Sequence, residues 1–210
     1  MEKYAFRLHF HLPDDVRLQH DEKSIAMTLS HPEHNIILKA LGKGVIKDTG
    51  NLALVGSGFS SEEEAYQCGT KLKQALLLIS VKFKFGFDPG REITRFSETE
   101  SEDKANEGWI DFVNDVHGLS TYPDKPSVRI ASATWSVQLQ TSTEIFFREL
   151  TSAYQNNSRL SDKQILALEL YSLSHFESSL TARFVMLVTA VEALSYMKVR
   201  LKSWTVKLQS

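Results

Sequence analysis

The side chains with the most chemistry to offer stand near the start of the chain. His9 and His11 alternate with Leu8, Phe10 and Leu12, so a strand there sets both imidazoles on one face and the apolar side chains on the other. Two imidazoles at that spacing can ligate zinc or copper, with His31, His34 or His20 as a conceivable third ligand. Nothing in the spacing makes those histidines converge, and a solvent-facing strand with incidental histidines is the commoner outcome. The expectation is therefore no metal and no cofactor, with His9 and His11 as the ligands to watch. Gly56-Ser57-Gly58 lies between a strand signal and a helix start, where a phosphate loop would stand. The third glycine of a dinucleotide fingerprint is replaced by Ser61, and the acidic partner about twenty residues further on is absent. Glu62, Glu63 and Glu64 would also repel a phosphate where backbone N–H groups attract one. Gly42-Lys43-Gly44 lacks the spacing of a P-loop. Both positions are excluded as nucleotide cradles.

The C-terminal stretch has a different character. Tyr196 to Ser210 contains Lys198, Arg200, Lys202 and Lys207 and no acid, so it carries +4 while the rest of the chain carries −6. As a helix it would line Met197, Leu201, Trp204 and Leu208 along one side. Lys198, Arg200, Lys202, Trp204 and Lys207 then become candidate binding residues, for RNA backbone contact with Trp204 stacking, or for docking on a partner or second subunit. A membrane-surface helix would be short. The plainest alternative is a last core helix whose cations complement its C-terminal dipole.

These residues need elements to hold them. Tyr4, Phe6, Leu8, Phe10 and Leu12 alternate with Ala5, Arg7, His9 and His11, which predicts a strand ended by the turn Pro13-Asp14-Asp15. Ser24 to Ser30, Ile36 to Leu41 and Leu52 to Val55 read as further short strands of an antiparallel sheet. A long helix follows: Ser60 and Ser61 each have a glutamate three residues on, as a capping box requires. Ala65, Cys68, Leu72, Ala75, Leu76, Ile79 and Phe83 make its apolar face, and Gly86 with Pro89 supplies the stop. Val128 to Leu139 reads as another strand that can rejoin the first sheet. The remainder is helical. Thr141 with Glu144 opens one helix, Ser161 with Gln164 caps a second, and a third runs from Leu180 to Met197 or beyond, with Phe184, Leu187, Val191 and Leu194 as its stripe. The fold class is α+β: a small antiparallel sheet with one long packed helix, then a mainly α-helical part. The expected organisation is an N-terminal domain over 1–97, an acidic linker or loop over 98–108, and a helical region over 109–210.

Composition narrows the function classes. The 210 residues carry a net charge of −2, so no overall excess advertises nucleic acid or an anionic membrane. Cys68 is the only cysteine, which excludes an internal disulfide and a cysteine-built zinc site. Apolar runs such as Ala75 to Ile79 fall far short of a membrane span, and Met1-Glu2-Lys3-Tyr4 lacks a signal-peptide pattern. The expectation is a cytoplasmic protein with no membrane partner.

Residues 160–179 read Leu-Ser-Asp-Lys-Gln-Ile-Leu-Ala-Leu-Glu-Leu-Tyr-Ser-Leu-Ser-His-Phe-Glu-Ser-Ser, and 182–194 read Ala-Arg-Phe-Val-Met-Leu-Val-Thr-Ala-Val-Glu-Ala-Leu. This pattern resembles the Apea-like branch of the HEPN superfamily, and the run from Gly58 to Tyr66 looks like the region preceding such domains in bacterial proteins. The resemblance implies a helical bundle that often dimerises, in a bacterial stress or defence setting. Many members are metal-independent ribonucleases; others bind RNA or act as scaffolds. Active members carry an arginine and a histidine separated by four to six residues. The histidine moves the 2′-hydroxyl proton while the arginine steadies charge on phosphorus. No arginine of this chain has histidine five to seven residues on. The resemblance therefore implies a truncated or divergent, non-catalytic module that forms a homodimer or takes a protein partner, with RNA as a further possibility. Two alternatives stay open: a ribonuclease with a rearranged site, its candidate bases His175 and His117, or the front portion of a longer HEPN ribonuclease. Arg183 and Glu192 match the family's helix but stand nine residues apart, about 180° around it, so they do not form one direct pair.

Overall fold

The computed structural model describes residues 3–27, 35–42, 44–90, 92–94, 117–124, 140–156 and 160–207, with side chains on the last helix described through Ser195. The fold is α+β. Its strands are β1 (Tyr4–His11), β2 (Arg17–Gln19), β3 (Ser24–Met27), β4 (Asn35–Ala40), β5 (Asn51–Phe59), β6 (Glu92–Thr94), β7 (Gly118–Pro123) and β8 (Gln140–Ser142). Its helices are α1 (Glu62–Phe83), α2 (Thr143–Gln155), α3 (Asp162–Ser174) and α4 (Leu180–Lys207). The main sheet runs in the order β3-β4-β5-β1-β7-β6, and β2 pairs with β8 separately. Pairing is antiparallel from β3 to β7, with β6 parallel to β7 at the edge.

The alternation in β1 does what it predicts. Phe6, Leu8 and Phe10 are fully buried and face the helix layer, where Leu72, Ala75, Leu76 and Ile79 of α1 cover them. Each large side chain buried in this way contributes about 1.5–3 kcal/mol. Leu8 stands opposite Leu54 of β5 on one side and Leu119 of β7 on the other, so β1 is a central strand. Gly56 lies opposite Phe6, and a Cβ there would come within 2.2 Å of the Phe6 ring. Only glycine lets that ring lie flat across β5.

Helix α1 begins as its sequence requires. Ser61 Oγ accepts the Glu64 N–H at 3.2 Å, and Glu64 Oε2 in turn accepts the N–H of Ser60 at 2.9 Å. Its end differs from expectation: Lys84 takes the left-handed conformation, φ 58°, and stops the helix ahead of Gly86. Gly86 serves α3 instead, because a Cβ on it would stand 2.2 Å from the Ser172 carbonyl oxygen. The Ser161–Gln164 capping box opens α3. The α2 cap is Ser142, one residue beyond Thr141.

Residues on both sides of 98–108 share the main sheet, since β7 lies beside β1. The strand that rejoins the sheet is thus 118–123, while the strand expected over 128–139 lies outside the described residues. The backbone of α4 is helical through Lys207. Its apolar stripe is turned outward: Phe184 is 66% exposed and Val191 62%, with Leu194 half exposed, while Ala190 is buried. Among the described residues, no helix is long and apolar enough to cross a membrane.

Candidate functional site

The period-2 geometry of β1 sets His9 and His11 on the face opposite Phe10. That face is not open to solvent. His9 is buried and His11 is half-buried. The histidine that joins them is none of the three weighed as a third ligand. His117, just before β7, brings its ring within 4.1 Å of the His11 ring and 5.1 Å of the His9 ring, while the His9 and His11 rings are 4.8 Å apart. One ring nitrogen from each of the three lies within 4.8 Å of the other two. His31 and His34 lie outside the described residues, and His20 is not part of this cluster.

Asp88 holds the cluster together. Its backbone exchanges two hydrogen bonds with His11, His11 N–H donating to the Asp88 carbonyl at 2.8 Å and Asp88 N–H returning at 2.9 Å. Its Oδ2 lies 3.0 Å from His117 Nε2, and its Oδ1 accepts the Gly90 N–H at 3.1 Å. Gly90 has φ of +62°, and a Cβ there would stand 2.0 Å from the His117 carbonyl oxygen. The turn Asp88-Pro89-Gly90 can therefore approach His117 only because residue 90 has no side chain.

Electrostatics favour the neutral form of His11. Burial, and then the neighbouring His117 and His9, lower the His11 pKa from 6.5 to about 4, so its imidazole is neutral near pH 7. Burial works to raise the Asp88 pKa, but His117, the Gly90 N–H and His11 outweigh it, and the carboxyl sits below its ordinary range. Three imidazoles beside one carboxylate make a nitrogen-donor pocket of the kind that suits a first-row divalent cation.

The other residues singled out by sequence fall elsewhere. Arg183 Nη2 stands 3.4 Å from His175 Nδ1, across the turn between α3 and α4. Burial and then Arg183 lower the His175 pKa, with Asp15 opposing. His175 Nε2 is buried without a hydrogen-bond partner among the described residues. Glu192 is exposed on α4. Lys198, Arg200, Lys202, Trp204 and Lys207 lie on the helical backbone of α4, with side chains outside the described part.

The outward face of α4 is the second feature with functional content. Leu180, Phe184, Val185, Val188, Val191 and Leu194 are exposed along it. Sequence reasoning missed Asp88 and Gly90, and it placed His117 among candidate general bases rather than with His9 and His11. The available signal was Leu119-Ser120-Thr121-Tyr122, a β-prone run directly after His117. Compared with known proteins, the chain matches no family model, no curated protein and no solved structure.

Proposed function

We propose that this chain is a non-catalytic binding module that pairs with a second copy of itself through α4. The observation that carries this reading is the exposed row Leu180, Phe184, Val185, Val188, Val191 and Leu194. From Leu180 to Leu194 it extends about 21 Å along the helix. Contiguous apolar surface of this kind marks an interaction site on a soluble domain. The segment 180–195 holds no lysine, and its one arginine, Arg183, is engaged with His175, so this stretch favours a protein surface over an RNA backbone. A two-fold antiparallel crossing centred near Val188 sets Phe184 of one copy against Val191 of the other and needs no charge complement. The resemblance to the HEPN superfamily points the same way, to helical domains that dimerise, and it supplies the bacterial stress or defence setting.

Sedimentation equilibrium tests the reading. The wild-type chain is expected to associate reversibly to a dimer. Phe184→Glu and Val191→Glu are each expected to weaken the dimer at least about thirtyfold, the effect of losing an interface anchor worth about 2 kcal/mol. Both positions are exposed in the single chain, so the far-UV circular dichroism should not change. A strict monomer at about 100 μM, a concentration at which even weak interfaces assemble, contradicts the reading.

The Arg183–His175 contact favours a second reading, a ribonuclease with a rearranged site. Single-stranded RNA incubated with the chain in EDTA is expected to stay intact. Cleavage that disappears in His175→Ala would replace the first reading with this one.

A further inference from the structure

We propose that His9, His11 and His117 form a binding site for one first-row divalent transition-metal ion, with Asp88 orienting His117 from the second coordination sphere. The three imidazoles come from places 106 residues apart in the chain, His11 and His117, and yet their ligand atoms lie within 4.8 Å of one another. Nitrogens bound at 2.0–2.1 Å to a tetrahedral ion are about 3.3 Å apart. Closing that gap takes about 1.5 Å of ligand-atom movement.

Several features of the surroundings suit an ion. His117 Nε2 faces Asp88 Oδ2 at 3.0 Å. A proton on Nε2 leaves the lone pair on Nδ1; both ring nitrogens are buried, and apart from the Asp88 ion-pair contact neither has a hydrogen-bond partner among the described residues. A carboxylate on one imidazole nitrogen with the other turned toward a cation is the usual outer-sphere arrangement of a histidine ligand. Asp88 itself is fixed by its paired backbone bonds to His11 and by the Gly90 N–H, so one ligand strand anchors the group that orients the third ligand. His11 and His117 keep partial solvent exposure. Three protein nitrogens leave a fourth position for water or an outside ligand. An all-imidazole set selects zinc, cobalt, nickel or copper over magnesium and calcium, which prefer oxygen donors. This site is independent of the α4 surface and of whether the chain dimerises.

The test is isothermal titration of tag-free, EDTA-stripped full-length chain with zinc chloride. The expected result is one zinc per chain. Cobalt chloride should give the strong visible absorption of a four-coordinate ion, and magnesium chloride no heat. His11→Ala and His117→Ala are each expected to weaken zinc binding at least tenfold, and Asp88→Asn about ten- to a hundredfold. His20→Ala, outside the cluster, should leave it unchanged. His11 and His117 are only half-buried, so their variants are expected to keep the wild-type urea midpoint, and Asp88→Asn provides an additional folded variant. Absence of stoichiometric zinc binding overturns the proposal, as does wild-type affinity in both His11→Ala and His117→Ala, or loss of binding in His20→Ala.

Discussion

Ser172→Ala is expected to destabilise the chain by about 2–4 kcal/mol, the cost of leaving two buried backbone groups without partners. Ser172 is fully buried in α3. Its Oγ accepts the Phe87 N–H at 2.7 Å and donates its own proton to the Phe87 carbonyl at 2.7 Å. One hydroxyl thus satisfies both main-chain groups of a residue that no strand or helix pairs. The bond also fixes Phe87, whose ring lies 6.1 Å from Phe10 and 5.7 Å from Phe146, and so ties α3 to the sheet and to α2. Alanine removes the donor and the acceptor while the protein excludes the water that would replace them. Ser80→Ala is the matched control. It is equally buried, but its hydroxyl donates to the Leu77 carbonyl within α1, whose helix bond survives the substitution. A change within about 0.5 kcal/mol is expected there, as for a replacement that strands no buried group. Urea unfolding of the two variants, compared at equal m-value, measures the difference. Equal, small losses in both would show that Phe87 is not held as described.

Gly90→Ala is expected to have a comparable effect by another route, and to act on the histidine cluster as well. A side chain at φ +62° costs about 1–2 kcal/mol in backbone energy. The added Cβ would also overlap the His117 carbonyl oxygen at 2.0 Å, and relieving such an overlap adds about 1–3 kcal/mol. The two contributions can be separated. Gly90→Asn reduces the backbone cost, because asparagine tolerates the left-handed region, but it keeps the overlap. Both variants should therefore shift the thermal midpoint downward, alanine further. Both should also weaken zinc binding at least about tenfold, because His117 moves relative to His9 and His11. Wild-type stability in Gly90→Ala would mean that the turn at Asp88 yields without cost.

The parts of this fold that were legible in sequence are those built from neighbours in the chain. The alternation of β1 from Tyr4 to His11 gave its apolar face and the shared face of His9 and His11, but not that the second face is covered too. The Ser61 cap and the apolar positions from Ala65 to Ile79 gave α1, and Ser161 with Gln164 gave the start of α3. What could not be read depends on pairings between distant segments. Gly118–Pro123 is short, and nothing local says that it lies against β1 rather than at an edge. Without that register, His117 has no reason to be associated with His9 and His11. The direction in which α4 faces is not legible for a related reason. The helix is apolar around most of its circumference, so periodicity does not say which stripe meets α3. Small Ala190 takes the inward position and the bulkier Phe184 and Val191 face outward. The stop of α1 was misread because Gly86, a frequent terminator, is needed here for close approach to Ser172.

The most direct test of the α4 pairing is a disulfide across its two-fold axis. Cys68 is the only cysteine and is buried, so a thiol introduced by Val188→Cys is the accessible one. Helices that cross face to face, 8–10 Å apart, bring the two Val188 positions within the Cα separation of about 4.4–6.8 Å that a disulfide spans. Under mild oxidation, Val188→Cys is expected to give a covalent dimer on a non-reducing gel. The wild-type chain and a Lys23→Cys control, placed on the exposed end of the sheet, are expected to stay single. A dimer that vanishes when Phe184→Glu is added to Val188→Cys confirms the antiparallel α4 contact. Val188→Cys that remains monomeric at the concentration where the wild-type chain self-associates contradicts it.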